Sequence, residues 1–442
     1  MTHTNKRLLL VGSGAREHAL AKAIHRSPQP VELLVFASNS NPGIAALASE
    51  MIVGTITDGQ AVAGWAKKRG ATLAIIGPEA PLETGVADAL WKEGIPVVGP
   101  TQALARLETS KSFTRDLLRD HKIGGCPAYA TFRSMEGVED FLRRLGDRYV
   151  IKANGLMGGK GVKVAGDHLH SHAEAMEYVE SLIADGGEVV IEEKMIGVEF
   201  SLISLCGGKT LLHFPAVQDH KRAFEGDSGP NTGGMGSYSD SDHSLPFLDD
   251  SDIEQARSMN ERIAAALWKQ VGQPYKGVLY GGFMATAEGT MIVEYNARFG
   301  DPECLNLMSL LEGDFVEMLE ATIEDRLDQL ESGCQTKASV CKYAVPEGYP
   351  EQPLKGFEWD ADDVSGVDLY LGSVDCVDGK LLGAGSRTAA VVALGESIAE
   401  AEALAEAQVS RLKGPLFHRR DIGTQALLEQ RVHTMQNLRG KR

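Results

Sequence analysis

Apolar and polar positions alternate in a regular rhythm through the first part of the chain. RLLLVG (7–12), VELLVFA (31–37), TLAIIG (72–77) and IPVVG (95–99) are apolar runs of strand length. AREHALAKAIHR (15–26), QAVAGWAKKRG and ETGVADALWKEG carry helical spacing. Apolar strands alternating with helices predict a parallel sheet covered on both faces. The loops leaving these strands, GSGAREH, SNSNPG and GPEAPL, are where such a sheet commonly holds a ligand.

From about Lys111 the pattern changes. YVIKA (149–153) and VKVAG read as strands joined by NGLMGGKG (154–161), a hairpin-like glycine loop rather than a strand-to-helix turn. A polar helix is predicted over 171–183 and strands over 188–195 and 197–208. An amphipathic helix follows over 251–272, then two strands, 278–286 and 290–296, turning at AEG. Beyond about residue 337, KASVCKYAVPEG, GVDLYLGSV, KLLGAG and TAAVVALG alternate with turns before the helix SIAEAEALAEAQVSRL, a small α+β unit. One segment fits none of this. DHKRAFEGDSGPNTGGMG (219–236) has charges, then glycines, and no apolar face. Composition alone predicts a solvated loop whose Asp, Lys, Arg and Asn groups could face polar ligands.

A chain of 442 residues exceeds what one core serves, and 43% hydrophobic with 24% charged residues is ordinary for a globular protein. A net charge of −17 argues against general nucleic-acid binding but is compatible with a local basic pocket for an anion. Six scattered cysteines without a CxxC pair predict reduced thiols. The N-terminus lacks a signal-peptide core and no apolar run is long enough for a membrane span, so a cytoplasmic protein is expected.

Four constellations carry candidate chemistry. The loop from Gly12 through Gly14 and Arg16 to Glu17 follows a strand and opens a helix, the context for an anion at a helix N-terminus. A dinucleotide fingerprint wants glycine or alanine where Glu17 stands, and no acid closes the second strand. A phosphate or sugar phosphate is therefore favoured over a nicotinamide dinucleotide, with a purely structural turn as the alternative. Lys152 and Lys160 lie beside and within NGLMGGKG, whose glycines admit phosphate oxygens to the backbone. The pattern is not GxxxxGK[ST], and a flexible hairpin with two surface lysines would look the same. Glu192 and Glu199 could accept ribose hydroxyl hydrogen bonds or simply be solvated charges. Glu294 and Asn296 share one strand face and offer oxygen ligands to a hard cation such as magnesium, and Arg298 adds a fork for carboxylate or phosphate. Any strand end could hold one of these residues; the set is less generic. The histidines have no metal-ligand spacing, and no motif marks an activated nucleophile.

An ordered series of pieces carries a resemblance. They are LLLVGSGAREHALA (8–21), IIGPEAPLETGVAD (75–88), VGPTQALARLETSKSFTRDLL (98–118), VIKANGLMGGKGV (150–162), IEEKMIGVEFS (191–201), QDHKR (218–222), GPNTGGMGSYS (229–239), VEYNARFGDPE (293–303) and FHRRDIG (417–423). Over nearly its whole length the chain resembles the phosphoribosylamine–glycine ligase (glycinamide ribonucleotide synthetase) family of the ATP-grasp superfamily. The resemblance implies an α/β and α+β multidomain ATP-grasp fold. An N-terminal α/β substrate-binding domain would span 1–110, the central ATP-grasp domain 111–128 and 196–336, its mobile lid 129–195, and a C-terminal α+β domain 337–442. The implied reaction joins glycine to 5-phosphoribosylamine through glycyl phosphate in purine biosynthesis, using ATP and magnesium (or manganese) and releasing ADP and phosphate. The family implies small-molecule substrates; charge and hydropathy predict no nucleic-acid or membrane partner, and a monomer is expected.

Carried to matched positions, the family's roles place Lys111 and Lys152 on the ATP phosphates, with Gly158, Gly159, Lys160 and Gly161 over them. Glu192, Glu193, Lys194 and Ile196 would surround adenine, Glu199 would hold the ribose, and Glu294 and Asn296 the metal. Gly12, Gly14, Arg16, Glu17, Gly77, Pro78, Glu79, Asp219, Lys221, Asn231, Thr232, Gly234, Arg298 and Gly300 would face the other two substrates. Of these Asp219, Lys221 and Arg298, together with Lys152, are the catalytic candidates. Asn154 stands where the family usually has aspartate, and Met157 and Gly158 where it has alanines, which bears on lid closure rather than reaction class. Other ATP-grasp ligases are disfavoured by QDHKR and GPNTGGMG, and a nicotinamide-dependent oxidoreductase by Glu17 and the Glu294/Asn296 pair. A non-catalytic nucleotide-binding regulator would not need the intact phosphate and metal set. No fused further pathway enzyme is expected after the last unit.

Overall fold

The computed structural model describes residues 6–156, 161–184, 186–330 and 333–440. The N-terminal rhythm becomes a five-stranded sheet with the order Glu50–Val53, Val31–Ala37, Lys6–Val11, Leu73–Ile76, Val97–Val98. Every pairing in it is parallel. The strands are short and almost wholly apolar because helices cover both faces. Strand order reverses between Lys6–Val11 and Leu73–Ile76. The loops that leave these two strands, at Gly12 and Gly77, therefore flank a crevice at the carboxyl edge of the sheet.

Two antiparallel sheets follow. The first, in the order Tyr129–Phe132, Val189–Glu193, Tyr149–Ala153, Val162–Val164, packs against helices Val138–Leu145 and His172–Ile183. Its buried apolar residues all lie between Val138 and Ile191 and form a core of their own. The hairpin expected at 149–164 is present, with Lys152 opposite Val162; its tip residues Met157, Gly158, Gly159 and Lys160 lie outside the described residues. The second sheet has the order Leu211–His213, Gly197–Cys206, Gly277–Thr286, Gly289–Asn296. Helix Asp250–Val271 closes it, burying Ile253, Ala256, Ile263, Ala264 and Leu267 at helical spacing.

A third sheet crosses position 337. Its order is Gln218–Asp219, Gly236–Ser239, Ala338–Pro346, Ala389–Gly395, Asp368–Leu371, with Leu416–Phe417 also paired to Ala338–Pro346. The segment 219–236 is thus not a free loop. Its two ends are strands of this sheet, and between them Arg222–Phe224 and Ser228–Asn231 form a small hairpin. Composition missed this because the strands are only two to four residues long and Gly236–Ser239 finds its second partner in the distant strand Ala338–Pro346. One continuous core runs from Leu8 through Phe283 to Met435, joining the N-terminal sheet, the second antiparallel sheet and the C-terminal region. Helices Gln102–Thr109, Lys111–Asp120, Glu303–Leu310, Phe315–Glu324 and Gln425–Gly440 complete the body.

Candidate active site

The phosphate-side candidates meet where the first antiparallel sheet approaches the second. Lys152 and Glu192 lie on adjacent strands of the first, and Arg115 reaches them from helix Lys111–Asp120. Arg115 grips the Glu192 carboxylate with both arms of its guanidinium, Nε to Oε1 at 2.6 Å and Nη2 to Oε2 at 2.8 Å, and Lys152 Nζ lies 2.7 Å from Oε2. Arg115 also donates to the carbonyls of Ile292 and Val293, and Lys152 to that of Val293. All three side chains are buried, which is tolerable because every charge is paired and hydrogen-bonded. Burial pushes the Glu192 carboxyl up, but Arg115 and Lys152 overcome it and hold it at about 2. Glu192 thus spends both oxygens on protein cations.

Lys111 opens its helix behind a Ser110 cap, and its Nζ donates to the Gly155 carbonyl at 2.9 Å. Burial lowers its pKa, partly offset by Glu294. Asn154 donates to Glu188 Oε2 at 2.5 Å and to the hydroxyls of Ser110 and Ser112, and accepts from the Ser112 amide. The same Glu188 pairs with Arg133. An aspartate at 154 would set a second carboxylate against Glu188; the amide donates instead, which accounts for this departure from the family pattern. Between the two sheets, Lys194 Nζ donates to the Ala165 carbonyl, Glu193 faces Arg148 at 3.5 Å, and Ile196 leaves about half its surface exposed (53%).

Across the cleft stand Glu294 and Asn296, paired in register with Gly282 and Tyr280 of the neighbouring strand. Burial raises the Glu294 carboxyl, but Lys221, Lys152, Lys111 and Arg298 together bring it below its ordinary value. Next to it is a narrow cavity lined by Glu199, Ser201, Asp219, Lys221, Tyr280 and Glu303. Glu303 Oε1 accepts from the Tyr280 hydroxyl at 2.7 Å and more weakly from Ser201. Burial and the Glu303 charge push the Asp219 carboxyl well up, with Lys221 and Arg387 opposing. Lys221 lies 3.4 Å from Glu199 Oε2, and Glu199 above all keeps its ammonium charged. Thr232 caps the Lys221 carbonyl through both its amide (2.7 Å) and its hydroxyl (2.9 Å), whereas Asn231 is exposed on the hairpin.

The N-terminal crevice completes the arc. Gly12 has φ +125°, and a Cβ there would lie 2.7 Å from Glu17 Cγ and 2.9 Å from Pro78. Glu17 fills this glycine-lined space, accepting from the Gly14 amide at 2.5 Å and from Arg16 Nε at 2.6 Å. Part of the positive helix end is therefore already answered by the chain's own carboxylate, which a dinucleotide fingerprint would leave open. Arg16 donates to the Phe299 carbonyl, so this loop abuts the segment carrying Arg298 and Gly300. Arg298 lies 3.1 Å from buried Glu108 and 3.3 Å from Glu79. Burial drives Glu108 upward despite Arg298, whereas for Glu79 the pull of Arg298 and Arg16 outweighs burial and lowers it.

Sequence reasoning gathered Lys111, Lys152, Lys221, Glu294, Asp219 and Arg298, and the fold brings these together around one cleft, while Lys160 lies outside the described residues. It passed over Arg115 and Glu303, although both lie inside quoted pieces; a buried-charge argument at SKSFTRDLL and FGDPE was the available signal. It also passed over Glu108, inside the same 98–118 piece as Arg115, and Glu188 and Arg387, single residues in ordinary surroundings that no local pattern singles out.

Comparison with known proteins is consistent along the chain. The family profile described as Phosphoribosylglycinamide synthetase, N domain, matches residues 6–108; its ATP-grasp (A) domain matches 109–304 and its C domain 339–425. The chain is 46% identical over 434 residues to the phosphoribosylamine–glycine ligase of Methanosarcina barkeri, covering 98% of this chain and 100% of that protein. The crystal structure of phosphoribosylamine–glycine ligase from Thermotoga maritima superposes with a TM-score of 0.79 at 27% identity, over 94% of this chain and 100% of that one. A biotin carboxylase from Campylobacter jejuni, solved with a β,γ-ATP ligand, shares the fold at TM-score 0.71 and 14% identity, over 96% and 95% of the two chains.

Proposed function

Because the chain belongs to the phosphoribosylamine–glycine ligase family of the ATP-grasp superfamily, we infer that it joins glycine to 5-phosphoribosylamine at the expense of ATP. The observation that carries the residue-level reading is the cleft itself: an ionised Glu294 ringed by Lys111, Lys152, Lys221 and Arg298 beside a small acidic cavity. A glycine carboxylate oxygen takes the γ-phosphoryl group of ATP, giving glycyl phosphate and ADP. The amine of phosphoribosylamine then attacks the activated carbonyl, phosphate leaves with the C–O bond electrons, and the amine proton passes to solvent or a nearby base. The chain needs no covalent intermediate of its own. Its work is alignment and charge stabilisation.

Lys111 and Lys152 supply fixed positive charge to the phosphates, and the Glu192–Arg115 pair holds Lys152 in place. The glycine ammonium fits the cavity between Asp219 and Glu303, which leaves its carboxylate toward Lys221 and Glu294. Arg298, Arg16 and the Gly12–Gly14 and Gly77–Glu79 loops face the phosphoribosyl side. Gly158, Gly159, Lys160 and Gly161 belong to the covering loop in this reading.

A divalent ion fits this donor set. Glu294 is a carboxylate kept ionised in a cleft, and Asn296 adds an amide oxygen from the same strand face. Among the described residues no cluster of three His, Cys, Asp or Glu side chains is arranged for a metal. Two protein oxygens, with nucleotide phosphates completing the shell, suit magnesium or manganese rather than a dedicated protein cage. Bound there, the ion would offset charge on the phosphate oxygens.

No described helix is long and apolar enough to cross a membrane, and all six cysteines are unpaired, which suits a reducing cytoplasm.

The test supplies ATP, magnesium, glycine and freshly generated phosphoribosylamine and follows glycine-dependent ADP release. Wild type should release ADP only with glycine present. Glu294→Ala should lose on the order of a hundredfold or more in kcat, the scale of a lost transition-state electrostatic group, while keeping its melting temperature. Normal turnover with normal metal dependence in that variant would overturn the residue assignment.

A further inference from the structure

Arg387 lies in the turn before strand Ala389–Gly395, outside every motif above. Its guanidinium is nevertheless built into the acceptor side of the cleft. Nη1 donates to the carbonyls of Gly233 (2.9 Å), Gly234 (3.2 Å) and Asp301 (2.9 Å), and Nη2 lies 2.9 Å from Asp301 Oδ2. The plane stacks on Tyr343 at 4.6 Å, and the Tyr343 hydroxyl donates to Asp301 Oδ1 at 2.6 Å. Four polar contacts and one aromatic ring around a planar cation leave it a single geometry.

The clamped glycines lead directly to the cavity. Gly234 has φ +118°, and a Cβ there would lie 2.7 Å from Asp219 Oδ1, so its backbone forms a wall against that carboxylate. The Gly234 amide donates to Thr232 Oγ1, and Thr232 caps the Lys221 carbonyl. Arg387 thus holds the strip against which Asp219 and Lys221 are set, and ties it through Asp301 to the segment that carries Arg298 and Glu303.

We propose that Arg387 is a positioning residue for the acceptor side of the site: it fixes the Gly233–Gly234 strip so that Asp219 and Lys221 receive glycine and phosphoribosylamine. The role rests on the ligase reading above and goes beyond it, because Arg387 acts through the strip rather than on a reacting atom. Its removal should move acceptor binding and leave nucleotide binding alone, since Lys111, Lys152 and Glu192 belong to other contacts. A merely structural residue would affect both.

The experiment measures KM for glycine, phosphoribosylamine and ATP separately in wild type, Arg387→Met, Arg387→Lys and Asp301→Asn, with melting temperatures. Arg387→Met should raise the glycine and phosphoribosylamine KM on the order of tenfold, about one lost charge-assisted hydrogen bond, with ATP KM within about twofold. Arg387→Lys should fall between, because an ammonium keeps the charge but not the fork. Arg387→Met and Asp301→Asn combined should cost less than the product of the singles, since both cut one contact. If Arg387→Met does not fold, Arg387→Lys and Asp301→Asn are read by the same criterion. Unchanged glycine KM, or an ATP KM that rises equally, overturns the positioning role while wild-type turnover leaves the ligase reading standing. Absence of glycine-dependent ADP release in wild type overturns the ligase reading itself.

Discussion

At the scale of one residue, Glu192 ties two elements together, since Arg115 and Lys152 share its carboxylate in a buried setting. Removing one partner of such a group leaves the others uncompensated, so Glu192→Gln should cost about 3 kcal/mol. It should also change acid sensitivity. The folded pKa of about 2 lies below the ordinary 4.5, so the unfolded chain binds more protons at low pH. The stabilisation is fully present above about pH 4.5 and is lost as pH falls through about 2. Urea midpoints recorded between pH 6 and pH 3 should therefore converge for wild type and Glu192→Gln; a constant gap would contradict the depressed carboxyl. The sequence reading expected Glu192 at a nucleotide because the motif is local, whereas its two cation partners lie on separate elements 40 and 77 residues away.

At the scale of elements, the hairpin Arg222–Asn231 is held from the C-terminal region. Arg419, almost wholly buried, donates to the Arg222 carbonyl at 3.1 Å and pairs with Asp227 at 2.9 Å and Asp421 at 2.7 Å. Arg431 also pairs with Asp227, and Asp421 accepts from the Gly226 amide. The hairpin alone has two short strands with a register shift and cannot be stable by itself. Arg419→Met should release it. Amide exchange measured by mass spectrometry should rise on the order of tenfold across 222–231, with the N-terminal sheet unaffected. Uniform acceleration over the whole chain would instead mean that Arg419 supports global stability. FHRRDIG was legible as a family piece, but its contact with 222–231 depends on a tertiary approach across 197 residues.

For the whole molecule, the N-terminal sheet and the C-terminal region are joined by buried polar groups as well as apolar ones. Asn41 donates to the carbonyls of Ser13, Leu371 and Gly372, and His18 Nδ1 accepts from the Leu371 amide at 2.8 Å. Burial, with Lys22 adding to it, lowers the His18 pKa to about 3. The unfolded chain then takes up a proton that the folded one refuses, so stability falls as pH drops from about 6.5 toward 3. His18→Asn keeps an acceptor for the amide without the titration. It should be less stable at pH 7 yet lose less melting temperature on acidification to pH 5. An equal loss in both proteins would rule out His18 as a source of the acid sensitivity.

Local patterns alone were enough for most strands and helices, because apolar period and turn chemistry act over a few residues. They also placed Lys152, Glu294, Asn296 and Arg298 as candidates, since those residues stand in contiguous motifs. Tertiary structure decided what each group faces. It filled the N-terminal glycine loop with Glu17, turned the charged segment 219–236 into sheet and hairpin, and brought Arg387 and Arg419 across 154 and 197 residues to hold it. Partners so far apart leave no periodicity in the sequence. Their meeting follows from how three sheets share one core, and only the folded chain determines that.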